Sequence, residues 1–146
     1  LLRYSIQHPG AVAMVPLVDA NHVCLIRNYR IAVDRTLIEL PAGTLEPPEP
    51  VDQTARRELQ EETGYRAGRW QTLGCLRMSP GILNEQVHLF VAQDLTPGPP
   101  AREAGEAIDN LVVPWDEAIA MVLRGEIEDA KSVAALLLWD RLRGQQ

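Results

Sequence analysis

Residues 11–18, AVAMVPLV, form an unbroken apolar run, the pattern of a strand covered on both faces. Asp19-Ala20-Asn21 then turns the chain, and Val23-Cys24-Leu25-Ile26 is expected to return as the partner of that first run. Residues 37–40 make another short strand and lead into Pro41-Ala42-Gly43. Residues 70–78 and 87–92 read as two more strands, joined by the turn-rich loop Ser79-Pro80-Gly81-Ile82-Leu83-Asn84-Glu85. Leu111-Val112-Val113 is a further strand. Residues 1–7 are short and mixed, the expected end of a strand, and His8-Pro9-Gly10 is a turn whose histidine is structural.

The helical signals lie elsewhere. Pro50 suits a first helical turn and Gly64 the left-handed position after the last one, so a helix fills the interval between them. Thr96-Pro97-Gly98-Pro99-Pro100 breaks regular structure, and residues 101–109 read as a mobile acidic surface loop. Asp116 is the expected cap of a helix running to about residue 123, and Asp129 or Ala130 starts a last helix to about residue 142. Strands surround one central helix and helices close the chain. That order predicts a mixed-sheet α/β sandwich.

The central helix carries the candidate chemistry. At about 100° per residue, Glu58, Glu61 and Glu62 fall within an arc of roughly 100°. Val51 and Ala55 bracket Glu62 on the same wheel and Leu59 lies just beyond, so the acidic arc overlaps the apolar one. Like charges at i,i+4, such as Glu58 and Glu62, repel, and more so when partly buried. A positive charge must offset that repulsion, and all-oxygen ligation suits a hard cation such as Mg²⁺ or Mn²⁺.

Composition narrows the class. The 146 residues suffice for one domain with a core, and 46% hydrophobic with 23% charged residues is ordinary for a soluble globular protein. A formal net charge of −6 argues against nonspecific nucleic-acid binding. An anionic substrate would therefore need metal ions to mediate its binding. Cys24 and Cys75 lie in apolar strand-like runs and read as buried free thiols of a reducing compartment. The longest apolar run is too short to span a bilayer and contains Pro16, so no membrane partner is expected. No signal peptide is recognised in a chain that opens on Leu1-Leu2-Arg3 without an initiator Met, and the expected location is cytoplasmic.

The pattern Gly43-x5-Glu49-x7-Arg57-Glu58-Leu59-x-Glu61-Glu62-x-Gly64-Tyr65 resembles the Nudix box, with Tyr65 standing where an aliphatic residue is more usual. The resemblance implies a single Nudix domain over residues 1–146: an α/β/α sandwich with a mixed sheet and a catalytic loop–helix–loop. The activity it implies is hydrolysis of a nucleoside diphosphate linked to another group. Carried over, Glu58 and Glu62 are the main metal ligands, Glu61 a further ligand or a catalytic neighbour, and the carbonyl of Ala42 another ligand. Glu49 and Arg57 brace the loop against the helix, and Arg57 counts with Glu61 among the catalytic groups.

Leu25-Ile26-Arg27-Asn28-Tyr29-Arg30, Glu39-Leu40-Pro41-Ala42-Gly43, Ser79-Pro80-Gly81 and the ending Arg124-Gly125-Glu126-Ile127-Glu128-Asp129-Ala130-Lys131-Ser132 resemble the ADP-ribose pyrophosphatase branch. Pro80, sixteen residues beyond Gly64, stands where that branch carries a proline. The likeness makes Arg30 a substrate contact, with Arg27 in the same cluster, and Glu85 an active-site carboxylate. Glu106 aligns with a loop glutamate that activates water. A second acid is usual two positions earlier, where Ala104 stands, and Glu103 takes that role if the loop shifts by one residue. The implied substrate is a nucleoside diphosphate sugar and the implied assembly a homodimer with residues 1–7 as the stub of an N-terminal arm. The alternatives are a Nudix hydrolase of a dinucleotide polyphosphate and a non-catalytic ADP-ribose-binding module.

Overall fold

The structure, a computed structural model, describes residues 1–145. Its elements in chain order are β1 (Ala11–Pro16), β2 (His22–Arg30), β3 (Arg35–Glu39), β4 (Ala42–Thr44), α1 (Val51–Thr63), β5 (Arg66–Arg77), β6 (Gln86–Thr96), β7 (Ile108–Pro114), α2 (Trp115–Leu123) and α3 (Ala130–Arg143). The strands divide between a mixed sheet in the order β4-β1-β6-β5 and an antiparallel one in the order β3-β2-β7.

β1 is buried throughout because it lies between two cores. Val12 and Met14 face α1 and pack with its Ala55 and Leu59. Ala11, Ala13 and Val15 face the other way, toward Leu25, Leu89, Trp115, Leu136 and Trp139. Alternate residues of one strand thus serve helices on opposite sides, which makes the α/β/α sandwich expected from the sequence.

The partner of β1 is not the one expected. β1 runs parallel to β6, from Ala11 opposite Val87 to Pro16 opposite Ala92, and antiparallel to β4 on its other edge. Both edges are filled, so β2 joins the second sheet, and only an isolated Leu17–Val23 bridge remains of the expected hairpin. Two apolar runs and a turn do not encode which strand pairs with which.

Smaller differences have local causes. Residues 1–7 are exposed and form no strand; Ile6 alone bridges to Leu83, with its N–H donating to the Ile82 carbonyl at 2.7 Å. β5 and β6 extend well past their apolar cores because they zip together from Arg66 opposite Thr96 to Arg77 opposite Gln86. Pro114 is the residue before α2 and makes no side-chain cap, so Asp116 sits in the first turn, where its charge suits the helix dipole. Asp129 caps α3 as expected, accepting from the Ser132 N–H. Cys24 is buried, whereas Cys75 is exposed because β5 is an edge strand, and both are free.

Candidate active site

Helix α1 brings its acids inward by packing its own apolar side down. Ala55 and Leu59 are fully buried against β1, and Glu62, on the same side, is only 5% exposed. Its Oε2 accepts the Ala42 N–H at 3.0 Å, tying the helix to β4. Gly43 follows, and a Cβ there would overlap the carboxyl group of Glu58. The glycine at this position is therefore the space into which a glutamate is laid.

Arg57 is the countercharge of the site. Its Nε and Nη2 donate to Glu49 at 3.0–3.2 Å, while Nη1 donates to Glu58 at 3.0 Å and Glu61 at 2.9 Å. The Glu49–Arg57 brace expected from the sequence thus exists as a paired contact. Burial pushes the Glu58 carboxyl up to about 7 against the pull of Arg57, with the charges of Glu61 and Glu106 adding to it. Burial likewise raises Glu62, to about 8, against the bond from Ala42. One guanidinium does not neutralise this group of acids.

The cleft over α1 measures about 470 Å³. Glu58, Glu61, Glu62 and Ala42 line it, as do Glu85 from the loop before β6 and Glu103 and Glu106 from the loop before β7. Glu85 lies 3.8 Å from His8, whose Nδ1 in turn accepts the Gly10 N–H at 3.0 Å, a structural use of that histidine. Glu106 Oε2 accepts the Glu103 N–H at 2.9 Å and closes the loop that carries both.

Arg30 also lines the cleft, held by bidentate donation to Glu39 at 2.6 and 2.8 Å. Glu39 is 1% exposed, so the pair fixes the guanidinium from beneath. Arg27 is not brought to the cleft. Successive side chains of β2 alternate faces, and Asn28 and Arg30 take the inner one while Arg27 is exposed on the other.

Asn28 and Lys131 join the cleft without having been singled out from the sequence. Asn28 could have been found by counting two residues back from Arg30 along the strand. Lys131 begins α3 and donates to Asp129 at 2.9 Å, and it stands within the Glu128-Asp129-Ala130-Lys131-Ser132 segment already noted for its likeness. Arg102 and Asn110 were also missed; both bond to the C-terminal end of α1.

Whether these residues suit a metal ion turns on their chemistry. Three carboxylates with hard oxygen donors, two of them raised first by burial and further by neighbouring acids, fit a divalent cation. Among the described residues, no three His, Cys, Asp or Glu side chains converge on one point, because Glu58 and Glu61 are drawn onto Arg57. The donor set fits, with a guanidinium as its present countercharge.

A loop–helix–loop of this kind against a divided sheet defines the Nudix class of hydrolases. The NUDIX domain family matches residues 7–136, and the chain belongs to that family. It is 36% identical over 136 residues to an ADP-ribose pyrophosphatase of Bacillus subtilis, covering 92% of this chain and 74% of the relative. It is 41% identical over 138 residues to a GDP-mannose pyrophosphatase of Klebsiella pneumoniae, covering 87% and 68%. A crystal structure of an ADP compounds hydrolase superposes with a TM-score of 0.83 at 31% identity, over 93% of this chain and 74% of that one. Nudix hydrolases use divalent metal cations.

Proposed function

We propose that this enzyme hydrolyses the diphosphate bond of ADP-ribose or a related nucleoside diphosphate sugar, releasing a nucleoside monophosphate and a sugar phosphate. The observation that carries the reading is the cleft, with an acidic wall on α1 facing the fixed Arg30 guanidinium. Its volume suits a ligand of nucleotide-sugar size. Relatives named for ADP-ribose and for GDP-mannose support the substrate class and leave the base unspecified.

Glu58 and Glu62, with Glu61 and the Ala42 carbonyl, would hold Mg²⁺ or Mn²⁺. Such ions supply charge neutralisation at the diphosphate and a lowered pKa for attacking water. Arg57 keeps the box acids apart and aligned through its bonds to Glu49, Glu58 and Glu61. Arg30, with donors left over from Glu39, takes a diphosphate oxygen or stacks on the base. Glu85 faces the same space from the far loop. Glu106, or Glu103 beside it, accepts the proton of water attacking in line with the leaving phosphate.

Residues 1–146 make one catalytic domain in this reading, working in the cytoplasm. The chain pairs with a second copy through residues 1–7, where Leu1, Leu2, Tyr4 and Ile6 are exposed. Light scattering before and after removal of residues 1–7 checks that pairing.

A dinucleotide polyphosphate is the second substrate class compatible with the cleft. A binding module without turnover is disfavoured by the presence of every box carboxylate. Incubation with magnesium and a panel of ADP-ribose, GDP-mannose and diadenosine polyphosphates, read by nucleotide chromatography, separates these readings. Release of AMP and ribose 5-phosphate from ADP-ribose supports the proposal, and no release from either nucleotide sugar overturns it.

A further inference from the structure

The C-terminal end of α1 leaves backbone carbonyls without helical partners, as every helix does. Here they are taken up by the segment that carries Glu103 and Glu106. The Ala101 N–H donates to the Glu61 carbonyl at 2.9 Å, and Arg102 Nε donates to the Glu62 carbonyl at 2.9 Å. Asn110 Nδ2 donates to the Thr63 carbonyl at 2.8 Å. Arg102 Nη2 then donates to Asn110 Oδ1 at 3.0 Å and closes the ring of contacts. Two of the carbonyls belong to glutamates of the acidic wall itself.

The approach is close because two glycines cross. Gly64 has φ of 82°, and a Cβ there would overlap the carbonyl oxygen of Gly98. The loop leaves β6, passes over the helix end through Gly98, is fastened at Ala101 and Arg102, and is fastened again at Asn110 in β7. Residues 103–109 lie between the two fastenings, and Glu103 and Glu106 are among them.

We infer that Arg102 and Asn110 are positioning residues, a clasp that joins the last turn of α1 to the 101–110 segment and so sets the distance between the Glu103–Glu106 loop and the box carboxylates. A planar fork with donors pointing in two directions is needed to reach a carbonyl and an amide oxygen at once, which lysine does not offer. Its positive charge also suits the negative end of the helix dipole. Misplacement of a reacting group by about 1 Å costs on the order of a hundredfold in rate. Arg102, which does not line the cleft, thus governs turnover through the loop it holds.

The inference rests on the reading that Glu103 or Glu106 takes the proton from water, and the experiment separates the two. For Arg102→Ala the expected result is a kcat lower by roughly thirtyfold with KM within about threefold, partly restored by added guanidinium ion. Amide hydrogen exchange at residues 101–106 should quicken while β1 and β6 stay protected. Arg102→Lys should behave like the alanine variant. Asn110→Ala, which keeps the Arg102 bond to Glu62, should show the same changes in smaller measure and serves if Arg102→Ala fails to fold. In Glu103→Gln/Glu106→Gln, adding Arg102→Ala should cause little further loss. Unchanged exchange in the loop, an unchanged kcat, or a full further loss in the combined variant overturns the clasp. Wild-type turnover in Glu103→Gln/Glu106→Gln overturns the base reading instead, and hydrogen exchange in Arg102→Ala then decides the clasp by itself.

Discussion

The Ala42 N–H and the Glu62 carboxylate meet at 3.0 Å across twenty residues of sequence. This contact seats a buried acid against the backbone of β4, where the charge of Arg30 acts on it without a direct ion pair among the described residues. Ala42 thereby serves Glu62 through its nitrogen, while its carbonyl remains the one proposed for metal.

Glu62→Gln keeps an oxygen to accept from Ala42 and removes the charge. Turnover should fall by roughly a thousandfold or more, while thermal unfolding of the metal-free protein is unchanged or moves upward. Steady-state kinetics with calorimetry checks both, and near wild-type kcat would sink the assignment of Glu62 to metal.

Metal and pH should act together on stability. Glu58 and Glu62 titrate at about 7 and about 8 in the folded chain, above the ordinary carboxyl value of 4.5. A raised acid favours folding fully below its unfolded pKa, and that contribution is lost as pH rises through the folded value. Their share of metal-free stability should thus decline between about pH 4.5 and pH 8. Magnesium, binding the deprotonated groups, should raise the melting temperature more at about pH 8.5 than at about pH 5.5. An equal shift at both pH values would contradict this.

Gly43→Ala places a methyl group where the Glu58 carboxyl lies. The side chain must swing out, so apparent magnesium affinity and kcat should both fall, by about tenfold or more for a change of at least 1.4 kcal/mol. Magnesium titration of activity reads the effect.

Arg30→Ala strands the buried Glu39 carboxylate. Stability should drop by about 3 kcal/mol, the low end for a buried pair because Arg30 is partly solvated. Arg30→Gln combined with Glu39→Gln should recover stability but leave KM raised. Recovery of KM as well would show that Arg30 has no contact with substrate.

Only one thiol should react in the folded protein. Burial pushes Cys24 up to about 12, while Cys75 lies exposed on β5. Ellman's reagent should titrate Cys75 under native conditions and both after unfolding. Loss of the native signal in Cys75→Ser confirms the site.

The helix was readable because its marks are local: Pro50 before it, Gly64 after it, and acids overlapping the apolar arc between. Arg30 and the loop glutamates were readable only by resemblance, since nothing in their own spacing points to a cleft. Strand pairing was not legible, because residues 11–18 satisfy any buried neighbour and the choice of β6 over β2 is made by the whole sandwich. Arg27 shares the basic cluster in sequence but not the cleft, since strand alternation turns it away from the face of Asn28 and Arg30. Arg102 and Asn110 escaped because their partners are main-chain carbonyls, which leave no trace in side-chain pattern.

The division of the strands into two sheets has an evolutionary consequence. The box acids ride on a helix packed against β1 and β6, whereas Arg30 and the segment with Glu103 and Glu106 come from β2 and the approach to β7. In the proposed reading, substitutions around Arg30 retune which sugar or base is accepted, while the acids proposed for metal on α1 and the loop glutamate proposed as the base are kept. One scaffold can in this way supply many selectivities from a single inherited reaction.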